Sequence, residues 1–144
     1  MSTYRGKCLC GKSEILIDGP KVDSQIRCHC SDCVKTSGTA FSSNILIKET
    51  DVRFVGRIAK YVSKAASGND VTRIFCGNCG AALGHNTVAF GDSLAVQTGV
   101  LGFKNVPYGV ELFAKDRWAD VAPSSTAQSF ETVPPADPEP KSKL

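Results

Sequence analysis

No apolar run in these 144 residues approaches the roughly 20 that a membrane-crossing helix requires, which argues against a helical span. Met1 to Lys7 is short and polar, without the apolar core of a secretion signal. Charge of one sign is also scarce, with 17 Lys and Arg against 14 Asp and Glu and a net charge of +3. The basic residues are scattered, and no aromatic residues interleave with them as a stacking platform. Nucleic acid is therefore not the expected partner. A weak positive balance suits a small anionic substrate better. Missing too is any sustained i, i+3, i+4, i+7 apolar spacing over three turns, so no long amphipathic helix is expected.

What is present alternates with a period of two. Ser13 to Asp18 reads as a strand that stops at Gly19-Pro20. Phe41 to Ile47, Val52 to Val55, Val71 to Phe75, Leu94 to Thr98 and Val110 to Phe113 read the same way. One short helical turn fits Ser31 to Lys35, with Ser31 placed as its N-cap. The expected fold class is mainly β, in one domain over 1–122 whose core starts near Tyr4. Beyond it, 123–144 carries Pro123, Pro134, Pro135, Pro138 and Pro140 among polar residues and reads as a disordered tail. Its final Ser142-Lys143-Leu144 matches the peroxisomal address. In a eukaryotic source that predicts a peroxisomal protein with the import receptor as a partner; otherwise the expectation is cytoplasmic.

The seven cysteines fall into three tight clusters: Cys8 and Cys10; Cys28, Cys30 and Cys33; Cys76 and Cys79. Neighbours one or two residues apart cannot easily bridge each other as disulfides, whereas a short turn can aim two thiolates at one metal ion. Grouped thiols without a secretion signal fit a reducing compartment. Cys8-x-Cys10 and Cys76-x-x-Cys79 together offer the four sulfurs of a closed structural zinc site. Gly11, Gly77 and Gly80 beside them suit tight turns. Such a site contributes directly to folding.

Cys28, Cys30 and Cys33 supply only three corners of a tetrahedron, the arrangement of a catalytic zinc with an open position. His29 lies between two cysteines. If both face the metal, the pleat of an extended segment turns His29 away, to support the site or line its pocket. A zinc held by three thiolates is a modest Lewis acid but holds and deprotonates a further thiol, which favours addition of a thiol to a carbonyl or the reverse. The plainer alternative is a second structural site completed by an unidentified ligand.

These residues resemble a known family. Gly6-Lys7-Cys8-Leu9-Cys10-Gly11, Cys28-His29-Cys30-Ser31-Asp32-Cys33 and Phe75-Cys76-Gly77-Asn78-Cys79-Gly80 look like the signatures of the glutathione-dependent formaldehyde-activating enzymes, a family that also includes centromere protein V. Ser37 to Phe41, the segment around Gly99 and Lys115-Asp116-Arg117-Trp118 extend the match, so the resemblance covers about 5–122. It implies a β-tent-like fold of several small antiparallel sheets, and a structural zinc on Cys8, Cys10, Cys76 and Cys79. It also implies a catalytic zinc on Cys28, Cys30 and Cys33, and condensation of glutathione with formaldehyde to S-hydroxymethylglutathione.

The expectation is thus a zinc-dependent carbon–sulfur lyase with two zinc ions per chain and glutathione as co-substrate, acting on a metabolite that can exceed formaldehyde in size. Zinc Lewis-acid isomerase, dehydratase or hydrolase chemistry without a thiol is one alternative, and a non-catalytic zinc-stabilised binding module is the other. A chromatin factor is disfavoured by the lack of a basic extension. For a general acid–base, His29, Asp32, Glu111 and Asp116 are the candidates, each more readily a cap, exposed charge or ion-pair partner. Trp118 is expected in the core or a pocket wall. Arg73 and Lys35 can bind a carboxylate but read as a solvated face, and His85 reads as a solvent-facing loop residue.

Overall fold

The computed structural model describes residues 1–135; Pro138, Pro140 and the Ser142-Lys143-Leu144 address lie outside the described residues. Among the described residues, eleven strands and one short α-helix follow in chain order. They are β1 (Ser2–Lys7), β2 (Ser13–Gly19), β3 (Gln25–Cys28), α1 (Ser31–Ser37), β4 (Ser42–Lys48), β5 (Val52–Gly56) and β6 (Ile58–Lys64), then β7 (Asp70–Cys76), β8 (Ala82–Asn86), β9 (Ser93–Gln97), β10 (Tyr108–Leu112) and β11 (Gln128–Ser129). The fold is mainly β. A three-stranded antiparallel sheet, β1-β2-β5, packs on an eight-stranded sheet of order β11-β10-β3-β4-β9-β8-β7-β6.

The alternation seen in the sequence drives this packing. Ile15 and Ile17 of β2 are fully buried, while Glu14, Leu16 and Asp18 turn outward to varying degrees. With Val52 they meet Ile45, Ile47, Ile74, Leu83, Leu94 and Val96 of the large sheet in one continuous core. Cys8 and Cys76 belong to the same core, so the first and third cysteine clusters lie at the seam between the sheets.

Most pairings are antiparallel, but β10 runs parallel to β3 and to β11. The parallel pairing sets Glu111 opposite Arg27 and Leu112 opposite Cys28, residues more than eighty positions apart in the chain. On the other side of β3, Cys28 pairs with Ser42.

The chain stays ordered past the expected boundary at 122. β11 pairs with β10, and the Phe113 and Ala114 amides donate to the Thr132 and Phe130 carbonyls at 2.8 and 3.0 Å. Residues 128–132 therefore run along the edge of the large sheet and cover peptide groups that β10 would otherwise leave unpaired. The helix cap is also corrected: Cys30, not Ser31, is the N-cap of α1, and its Sγ accepts from the Cys33 amide at 3.4 Å.

Candidate metal centres

β1 ends at Lys7, just before Cys8, and β7 ends at Cys76; the tight turn that follows each strand carries the second cysteine of its pair. Gly11 (φ 74°) donates to the Cys8 carbonyl at 3.0 Å, and Gly80 (φ 77°) to the Cys76 carbonyl at 2.9 Å. Both positions need the left-handed backbone that glycine adopts without strain. Gly77 does a different job: its amide donates to the Arg57 carbonyl, and a β-carbon there would press on Ala59 at 3.3 Å.

The four sulfurs of Cys8, Cys10, Cys76 and Cys79 all lie within 4.8 Å of one another. Cys8 and Cys10 are 3.6 Å apart, and Cys10 and Cys76 are 3.8 Å apart. A tetrahedron with ~2.3 Å metal–sulfur bonds has edges of about 3.8 Å, so this group fits a zinc-sized ion without rearrangement. Backbone amides already point at the sulfurs: Ser13 at Cys8 (3.2 Å), and Asn78 and Cys79 at Cys76 (3.4 and 3.5 Å). The Ser13 hydroxyl and the Cys79 amide outweigh the opposing desolvation and, with the Asn78 amide, hold Cys76 down to about 5, toward the thiolate a metal needs.

Cys28, Cys30 and Cys33 form a second group with sulfurs within 4.8 Å of one another. Among the described residues no fourth histidine, cysteine or carboxylate joins it. Cys28 and Cys33 are buried and Cys30 is half-buried, so the group is least covered on the Cys30 side. Before any metal binds, hydrogen bonds from Cys28 and Cys30 pull Cys33 down to about 3 against its burial, aided by Ser42 and the Arg73 charge. The hydrogen bonds to Cys30 and Cys33 in turn push Cys28 up.

His29 is 1% exposed and does not join the trio. Its Nε2 lies 2.5 Å from Glu111 Oε1, its Nδ1 is buried without a partner among the described residues, and its ring packs edge-on against Phe41. Glu111 is the hub of this layer. It is wholly enclosed rather than exposed, and accepts from Arg117 Nε (3.1 Å), Arg27 Nη1 (3.4 Å) and the Ser124 amide (3.3 Å). Burial alone would raise its pKa, but Arg117, His29 and Ser124 together bring it down to about 2.

Other sequence readings change. His85 is not a solvent-facing loop residue: it lies in β8, 8% exposed, against Phe90. Burial first, then the Arg73 charge, lower it to about 4, with Cys30 opposing. Arg73 is no solvated cation either, with a side chain only 12% exposed and Asp32 at 3.9 Å. Trp118 lies outside the core, more than half exposed. Asp116 is a surface charge paired with Lys115, and Lys35 is exposed on α1. Sequence reasoning missed His85 because Leu-Gly-His-Asn has no alternation to mark a strand.

Cavities flank the large sheet among the described residues. One of about 330 Å³ sits beside α1, walled by Ser37, Thr39, Phe41, Ser43 and Gln97 among others. A larger one of about 540 Å³, lined by Val52, Phe54, Ile58 and Ile74, lies on the core face away from the trio. No cysteine of the trio lines either.

A mainly β domain with one closed and one open cysteine cluster defines a metal-site class of protein. Within that class, residues 3–116 match the glutathione-dependent formaldehyde-activating enzyme family, and the chain belongs to it. An uncharacterized lyase of Schizosaccharomyces pombe is 32% identical over 85 residues, covering 58% of this chain and 57% of that protein. The chain thus matches little more than half the length of that relative. A solved structure of a Rhodobacter sphaeroides protein shares the fold, with a TM-score of 0.55 at 22% identity over 70% of this chain and 90% of that one.

Proposed function

We propose that this chain is a zinc-dependent, lyase-like enzyme that forms or cleaves the bond between a thiol, such as glutathione, and a carbonyl carbon. The observation that carries the reading is the Cys28, Cys30 and Cys33 trio, which gathers three sulfurs with no fourth protein ligand among the described residues. The closed four-cysteine group is read as the structural zinc site and the trio as the working one. Cys28, Cys30 and Cys33 would hold that zinc, which would supply a position where a thiol could lose its proton at neutral pH.

The chain's own residues do the rest. Cys28 and Cys33 anchor the trio from the buried side, and half-buried Cys30 is its most accessible member. His29 and Glu111 hold the β3–α1 segment from behind, as residues that orient ligand segments commonly do. In the forward direction the sulfur bonds to the carbonyl carbon and the C=O π pair moves to oxygen. The proton the thiol gave up ends on that oxygen; cleavage retraces these steps. Phe41, which packs on His29, also walls the 330 Å³ cavity, so a substrate larger than formaldehyde has room beside this segment.

The test is the rate at which glutathione and formaldehyde equilibrate with their adduct, followed by exchange NMR. Cys30→Ser is expected to keep its fold and the closed site's zinc while the rate falls to the uncatalysed background. An unchanged rate would remove the trio from the chemistry.

A further inference from the structure

The larger cavity, of about 540 Å³, lies between the two sheets and has an apolar wall: Val52 and Phe54 from β5, with Ile58, Ile74 and Leu94 from the large sheet. The register fixes what the large sheet presents to it. Lys60 is the ladder partner of Ile74 and Ile74 of Gly84, while one step along Thr72 is the partner of Asn86. Ladder partners share a face, and Ile74 belongs to the core, so both rows face the small sheet. Gly84 has no side chain to fill the gap. A β-carbon there would come to 3.1 Å from Phe54 Cζ, so the Phe54 ring closes over this glycine. The volume falls within the range of about 300–1,000 Å³ that small-molecule sites occupy.

The polar lining is of two kinds. Glu49 and Lys60 are exposed and opposite in charge, so together they favour neither an anion nor a cation. Asn86 and Thr72 are half-buried, and Asn86 Oδ1 is buried with no hydrogen-bond partner among the described residues. An acceptor left unmet away from water is costly. A hydroxyl group can donate to Asn86 Oδ1, or accept from Nδ2 if the carboxamide turns over, and the neighbouring Thr72 hydroxyl offers it a second contact. Water alone would meet Asn86 but would leave the apolar wall wetted. An apolar body that carries a hydroxyl satisfies both parts of the lining at once.

We propose that this cavity binds an uncharged, largely apolar small molecule with one hydroxyl group, the hydroxyl at Asn86 and Thr72 and the apolar body between Phe54 and Ile74. No cysteine of the trio lines the cavity, so the site is additional to the one described above and stands whether or not the trio handles a thiol.

The test is an amide NMR titration of the zinc-loaded full chain with p-cresol, with its methyl ether and with p-toluate. p-Cresol is expected to shift the amide signals of Phe54, Thr72, Ile74 and Asn86 and to bind more tightly than the anionic p-toluate. The affinity of p-cresol relative to its ether is expected to be about three- to tenfold higher in the unaltered protein than in Asn86→Leu, the size of one hydrogen bond. Comparing this ratio between proteins cancels the greater hydrophobicity of the ether. Thr72→Val is expected to lower the ratio by a smaller factor, and it carries the comparison should Asn86→Leu not fold. A ratio unchanged in whichever variants fold overturns the hydroxyl assignment. Tighter binding of p-toluate overturns the uncharged class. Shifts confined to residues 28–37, or no shifts at millimolar p-cresol, overturn the site itself.

Discussion

His85 is held neutral by its surroundings: burial comes first and the Arg73 charge second, so its pKa drops from 6.5 to about 4. A folded state that resists protonation more than the unfolded chain is most stable above the unfolded value and loses that advantage as pH falls. Stability of the zinc-loaded protein should therefore decline between pH 6.5 and pH 4. The full effect is about 3 kcal/mol at most for a shift of this size. Denaturant midpoints across that window should fall steeply for the unaltered chain and less steeply for His85→Gln; parallel slopes would contradict the assignment. Arg73, His85 and Glu111 are the residues the sequence conceals. Each is polar, flanked by ordinary strand residues, and buried only because the sheet sets it against α1, Phe90 or β3. The cysteines are legible for the opposite reason: their chemistry requires partners within a few residues, so spacing alone reports the grouping.

Strands with one face in the core announce themselves. β2 alternates cleanly and β4 for most of its length, because water lies nearer one side and Ile packs on the other. β8 does not, since three central residues are all buried and include Gly84 and His85. β6 is an edge strand with mostly exposed residues, and β11 is two residues long, too short for any period to show. β11 matters beyond its length. Ser124 donates to the Glu111 carboxylate, Phe130 to the Glu111 carbonyl at 2.8 Å, and Thr126 to the Tyr108 carbonyl at 2.7 Å. The segment thereby closes the layer behind His29. Ending the chain after Ala122 is expected to lower unfolding free energy by about 2 kcal/mol, several net hydrogen bonds less the entropy of ordering the segment. Hydrogen exchange at the Phe113 and Ala114 amides should quicken in step. Unchanged stability and exchange would mean that 123–132 adds nothing to the sheet.

At the scale of the whole molecule, the proposed function gives the two cysteine groups different tasks. The closed group joins β1 of the small sheet to β7 of the large one, and two of its cysteines lie in the shared core. A structural zinc site of this kind is worth about 10–16 kcal/mol, comparable to the entire stability of a domain, about 5–15 kcal/mol. The open group sits at the end of β3, where the parallel pairing with β10 brings Glu111 behind it and where Arg73 and His85 line its flank. That convergence of β3, β7, β8 and β10 is a property of topology, and no local pattern encodes it.

The most direct measurement is zinc per chain, with X-ray absorption reading the ligands before and after glutathione is added. The account predicts two zinc ions, one bound by four sulfurs and the other by three sulfurs and a lighter donor that glutathione replaces with sulfur. A single zinc, or two sites each already closed by four protein ligands, would contradict it.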